Sequence, residues 1–86
     1  EVNNRISDMY TVLDVTTHDR LGLLYLITTT LFTLGINIHL AKVSTEATRA
    51  IDVFYVTDFM GEKIVDEHAI ADLRSQLHTA LDVDER

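Results

Sequence analysis

A polar segment, His18-Asp19-Arg20-Leu21-Gly22, joins a run of strand character to a run of helix character, and that joint constrains this chain more than any other feature. Tyr10 to Thr17 is rich in β-branched and aromatic residues and reads as a strand. From Gly22 to Leu34 the period changes. Leu23, Ile27, Leu31 and Leu34 recur at spacings of four, four and three, which makes one helical stripe. Asp19 is the expected N-cap of this helix, and Gly35 its expected left-handed stop. Thr28, Thr29 and Thr30 are weak helix formers, so the helix depends on tertiary packing. A polar loop that opens a helix offers free backbone N–H groups where an anionic group can dock.

The remaining pattern supplies four more elements. Glu1 to Ser7 alternates weakly, with Val2 and Ile6 on one side, and reads as a short edge strand joined to Tyr10–Thr17 by a tight hairpin. Ile36, Ile38 and Leu40 alternate with Asn37, His39 and Ala41, a strand with one buried face. Glu46 to Arg49 turns the chain. Ala50 to Asp58 is almost continuously apolar and suits a central strand. After a loop at Met60-Gly61-Glu62-Lys63, Asp66 caps a second helix with Ile70, Leu73, Leu77 and Leu81 inward, ending near Val83. The order is ββαββα. Two helices on one face of a four-stranded antiparallel sheet is the economical α+β packing. With too little chain left for a strand after the second helix, the N-terminal strand takes the place of the last strand of a ferredoxin-like fold.

Residues 1–86 suffice for a single small domain. A domain of this size buries only about 60–65% of the surface of its unfolded chain, so a second copy would add stability. The balance of 7 Lys and Arg against 14 Asp and Glu gives a net charge of -7, which opposes nucleic-acid and anionic-membrane binding. No apolar run approaches a membrane span. Cysteine is absent, which removes disulfides and thiolate metal sites and suits the cytoplasm. The chain starts at Glu1 without an initiator Met and reads as a piece of a larger multidomain protein.

Three blocks resemble the ACT domain, a ferredoxin-like module that binds amino acids. They are Asp19-Arg20-Leu21-Gly22-Leu23-Leu24-Tyr25, Leu34-Gly35-Ile36-Asn37-Ile38-His39-Leu40-Ala41-Lys42, and Asp52-Val53-Phe54-Tyr55-Val56-Thr57-Asp58 with Gly61 and Lys63 following. The third block narrows the likeness to the C-terminal ACT domain of bacterial PII uridylyltransferase/uridylyl-removing enzymes. The resemblance implies a regulatory domain that senses an amino acid, glutamine first, in a nucleotidyltransferase with a phosphohydrolase activity that controls nitrogen-assimilation signalling. It implies no cofactor and no catalytic residue in this piece, and Mg for the parent enzyme. The implied partners are the PII protein, through the parent enzyme, and another ACT domain in tandem or as a homodimer. Two positions depart from the family. Leu21 stands where proline is usual before the loop glycine, which leaves the loop less rigid. Glu46-Ala47-Thr48-Arg49 lacks the usual turn glycine, which calls for another turn geometry or a strained one.

Carried over by position, the ligand-binding side chains are Thr17, Asp19 and Asn37, with backbone contacts from Gly22, Leu23, Leu24 and Ile38. Helix N-terminal amides supply donors for a carboxylate, while Asp19 and the Asn37 amide oxygen accept from an ammonium. The structural alternative makes Asp19 a cap, Asn37 a solvated strand residue and Gly22 a point of close helix–sheet approach. His18, His39, His68 and His78 contain no i, i+4 pair and read as ordinary polar residues, not metal ligands. Asp52 and Asp58 flank the apolar strand roughly 20 Å apart and read as structural or solvated. Ser7, Ser44 and Ser75 lack any motif that implies a histidine partner. Phe54 and Tyr55 lie on opposite strand faces, and the acidic flanks oppose an RNA-recognition sheet. Competing readings are a ligand-free ACT assembly module that pairs through the edge strand 36–45, the ACT regulatory domain of an amino-acid biosynthetic enzyme, and a small hydrolase of the acylphosphatase type, which the acidic balance opposes.

Overall fold

The computed structural model describes residues 1–19 and 21–84, so the Arg20 position of the loop motif and the two-residue tail lie outside the described residues. The elements run β1 (Val2–Asn3), β2 (Thr11–His18), α1 (Leu23–Thr33), β3 (Asn37–Glu46), β4 (Arg49–Thr57) and α2 (Glu67–Asp84). The sheet order is β1-β2-β4-β3 and every pairing is antiparallel. β1 pairs with β2 at the position expected of the N-terminal strand, and the apolar β4 is central. The α+β, ferredoxin-like expectation holds.

One core lies between the sheet and the two helices. Leu13, Ala50, Phe54 and Val56 face Leu23, Ile27 and Leu31 of α1 and Leu73 and Leu77 of α2. These are the stripe positions expected from the periodicity, with Leu34, Ile70 and Leu81 packed at the margin. Residues i and i+2 of β4 share a face, so Ala50, Asp52, Phe54 and Val56 point inward while Tyr55 lies on the outer face. There Tyr55 meets the Tyr10 ring edge-on at 6.4 Å, and Tyr10 stacks on His39 at 4.9 Å.

Helix α1 ends as the sequence suggests. Gly35 has φ 75°, and the Ile36 N–H donates to the Leu31 carbonyl at 3.0 Å while the Gly35 N–H donates to Phe32 at 3.0 Å. That double bond is a Schellman motif, and Leu31 and Ile36 supply its apolar contact. The start of α2 is likewise as expected: Asp66 Oδ2 accepts the Ala69 N–H at 2.9 Å.

Three local expectations are corrected, and one, the strained β3–β4 turn, holds. β1 is two residues long, and seven residues connect it to β2 in place of a tight turn. The cause is side-chain competition for the backbone: Asn3 Oδ1 accepts the N–H groups of Arg5 and Ile6, and Ser7 Oγ those of Met9 and Tyr10. Ile6 is consequently exposed. Leu40 does not share a face with Ile38. A bulge between Ile38 and Leu40 pairs Leu40 with Tyr55 on the outer face, and from there the inward β3 positions are Ala41, Val43 and Thr45. The β3–β4 turn holds Ala47 at φ 55°, a left-handed conformation without glycine. Finally, Asp19 is not the cap of α1. Gly22 occupies that position at φ 80°, and among the described residues no side chain caps the helix.

Candidate ligand-binding site

Strand β2 ends at His18, and the chain must cross from the sheet to the helix layer before α1 begins at Leu23. Gly22 makes the crossing with a positive φ that a side chain would resist. Because no side chain caps α1, its first-turn N–H groups keep their donor capacity, and the helix dipole adds partial positive charge there. Below that terminus opens a cleft of about 430 Å³, lined by Asp19, Leu21, Gly22, Leu23, Leu24, Tyr25, Val43, Thr45, Ala50 and Asp52.

Asp19 is exposed, and its own N–H donates to the Thr48 carbonyl at 2.8 Å. That bond ties the loop to the strained Ala47 turn, so the cleft's rim is built from both departures from the family pattern. Asp52 forms part of its wall. It is 2% exposed, and among the described residues its Oδ1 has no hydrogen-bond partner. Burial, and secondarily the negative charge of Asp19, hold the Asp52 carboxyl above its ordinary value of 3.8. The cleft thus brings uncapped helix amides, two carboxylates and apolar side chains to one space.

The seven positions singled out from the sequence fall in two places. Asp19, Gly22, Leu23 and Leu24 line the cleft together. Thr17 sits beside it, paired with the cleft residue Ala50. Leu23 is a core side chain, so its contribution to a ligand is its backbone. Asn37 and Ile38 lie at the other end of the sheet, paired with Thr57 and Val56, and Asn37 Nδ2 donates to the Asp58 carbonyl at 3.4 Å. One copy of the chain does not bring them to the α1 N-terminus.

Asp58 is structural, as expected: its Oδ1 accepts the N–H groups of Met60 and Glu62. Asp52 is not solvated: it is buried in the cleft lining. The signal for it was available, since it is the one charge among the inward positions Ala50, Asp52, Phe54 and Val56 of a central strand. Val43 and Thr45 were legible only with the bulge, which sets their facing. Among the described residues no three His, Cys, Asp or Glu side chains gather in reach of one metal ion, and no helix is long and apolar enough to cross a membrane.

Residues 1–84 match a family model described as an ACR9-like, ACT-like domain. The chain is 53% identical over 64 residues to the bifunctional uridylyltransferase/uridylyl-removing enzyme of Rhodopseudomonas palustris, covering 74% of this chain and 7% of that protein. It is 44% identical over 80 residues to the enzyme of the same name from Azospirillum brasilense, covering 93% of this chain and 9% of the relative. The corresponding protein of Gluconobacter oxydans is 41% identical over 80 residues, covering 93% and 8%. The chain therefore spans less than a tenth of the length of these relatives. Strand order, the helix-opening glycine loop and a match over nearly every residue converge: this chain belongs to the family of ACT-like domains.

Proposed function

We propose that this domain binds an amino acid, with glutamine the first candidate, and regulates a PII uridylyltransferase/uridylyl-removing enzyme of which it is a part. The observation that carries this reading is the cleft: an uncapped helix N-terminus shares it with Asp19 and Asp52, a set that suits the two charges of a zwitterion. The likeness to uridylyltransferase/uridylyl-removing enzymes supports the choice of parent enzyme. Effector binding would act by changing how this domain sits against a neighbour, a coupling of about 1–3 kcal/mol in typical systems. A sensor of an abundant metabolite works near a millimolar Kd, about -4 kcal/mol. Titration with L-glutamine should therefore shift the amide NMR signals of Asp19 and Gly22 to Tyr25 in the low millimolar range. Signals that stay still at tens of millimolar would refute glutamine sensing by this domain.

A second reading, assembly, is favoured by the bare edge of the sheet. β3 is exposed along its whole length beyond Ile38, with Leu40 at 49% and Val43 at 56%. Such an edge is a template for a further strand. Antiparallel pairing of two full β3 strands sets the Asn37 end of one against the Glu46 end of the other. Asn37 and Ile38 of the partner subunit would then approach the cleft beside Val43 and Thr45, which reunites the two groups of site residues. Sedimentation at rising concentration tests this, and a monomer throughout would remove it.

A further inference from the structure

Asp52 breaks the rule for a central strand. It points inward between Ala50 and Phe54, is flanked by Val15 on β2 and Val43 on β3, and is 98% buried. Among the described residues its Oδ1 has no hydrogen-bond donor. A buried carboxylate without a donor is costly, and a fold that keeps one leaves room for the donor to arrive from outside. The room is there: the cleft that reaches Asp52 opens below the uncapped first turn of α1.

We propose that Asp52 receives the ammonium group of the bound ligand while the α1 N-terminus receives its carboxylate, an assignment that rests on the amino-acid reading above. A cationic donor suits this carboxylate best among the described residues, because Asp19 brings a second negative charge to the same cleft. A metal ion fits poorly. Hard divalent cations take about six to eight oxygen ligands, and among the described residues no group of three metal-ligating side chains exists. An ammonium carries three donors and is satisfied by two carboxylates and a carbonyl or water. The site thus selects for a free α-amine. A ligand that keeps the carboxylate and side chain but lacks the amine leaves Asp52 unpaired and is rejected.

The test compares L-glutamine with 4-carbamoylbutanoate, which is glutamine without its α-amine, by calorimetric titration into the full chain and its Asp52→Asn variant. The expected result is that the wild type binds glutamine at least about tenfold more tightly than the deaminated compound, and that Asp52→Asn abolishes the difference. Equal wild-type affinity for the two compounds would overturn the assignment, as would wild-type discrimination kept by Asp52→Asn. The comparison on the wild-type chain stands even where the variant folds poorly. Glutamine binding with no role for Asp52 leaves the amino-acid reading intact and removes only this assignment. Binding of neither compound to the wild type removes both.

Discussion

Replacing Asp52 by asparagine should stabilise the ligand-free domain at neutral pH. The side chain is 2% exposed and its Oδ1 is unpartnered. An unsatisfied buried acceptor costs about 1–3 kcal/mol, and more when charged. Asparagine keeps the shape and removes the charge, but its amide still lacks a full set of partners and retains roughly 1 kcal/mol of that cost. The net gain is about 1–2 kcal/mol. For a domain of this size each kcal/mol raises Tm by roughly 4–8 °C. The gain must also depend on pH with a fixed sign. The folded carboxyl titrates above 3.8, chiefly through burial and then through Asp19, so the native state binds the proton more tightly than the unfolded chain does. The penalty is complete above the folded-state value and fades as pH falls through it toward 3.8. Urea unfolding of both proteins, followed by far-UV circular dichroism from pH 7 down toward pH 4, measures the difference directly. Carboxylates not coupled to Asp52 cancel in that difference. A variant less stable than wild type at pH 7, or an advantage that grows on acidification, would refute the assignment of Asp52 as an uncompensated charge.

Two further outcomes test the local geometry. Ala47→Gly should raise stability by roughly 0.5–1 kcal/mol: the left-handed φ of 55° costs alanine about 1–2 kcal/mol, less the 0.4–1 kcal/mol of extra unfolded-state entropy that glycine brings, and unchanged or lowered stability in thermal unfolding would show the turn to be unstrained. Asp66→Ala should cost about 1 kcal/mol by freeing the Ala69 N–H, with Asp66→Asn or Asp66→Ser restoring most of it, and an alanine variant as stable as wild type would deny the cap its role.

The stripes of α1 and α2 were legible because a period of 3.6 is set by the helix itself, so Leu23, Ile27, Leu31, Leu73 and Leu77 had to fall on one side. The same holds for the centrality of β4, whose run of apolar residues needs cover on both edges. What failed to show was whatever depends on one residue of backbone. The bulge beside His39 turns Leu40 to the other face, and no alternation count can foresee an inserted residue. Asn3 and Ser7 shorten β1 by binding backbone groups that a hairpin would have used, a choice made by local competition and not by pattern. The expected cap at Asp19 failed for a related reason. The chain rises to α1 through Gly22, and the Asp19 N–H bonds across to Thr48. For the site, Asp19 and the residues from Leu21 to Leu24 came together. Asn37 and Ile38 did not, since strand β3 carries them to the far end of the sheet.

The two ends of this sheet are built to opposite standards, and that contrast bears on where function lies. At the end that holds Asn37 and Thr57, polar groups find partners: Gly35 closes α1 with two bonds, Asp58 holds its own loop, Thr11 Oγ1 accepts the Ile64 N–H at 2.8 Å, and Asp66 caps α2. At the other end three local rules are broken within one cleft and its rim. Among the described residues helix α1 has no side-chain cap, Ala47 holds a left-handed conformation, and Asp52 keeps a buried oxygen without a donor. Each departure has an easy remedy in serine, glycine or a small apolar residue. Independent defects would be expected to scatter over a domain of this size. Their confinement to one end, around a cleft of about 430 Å³, is what the proposed binding site requires if its ligand is to supply the missing partners.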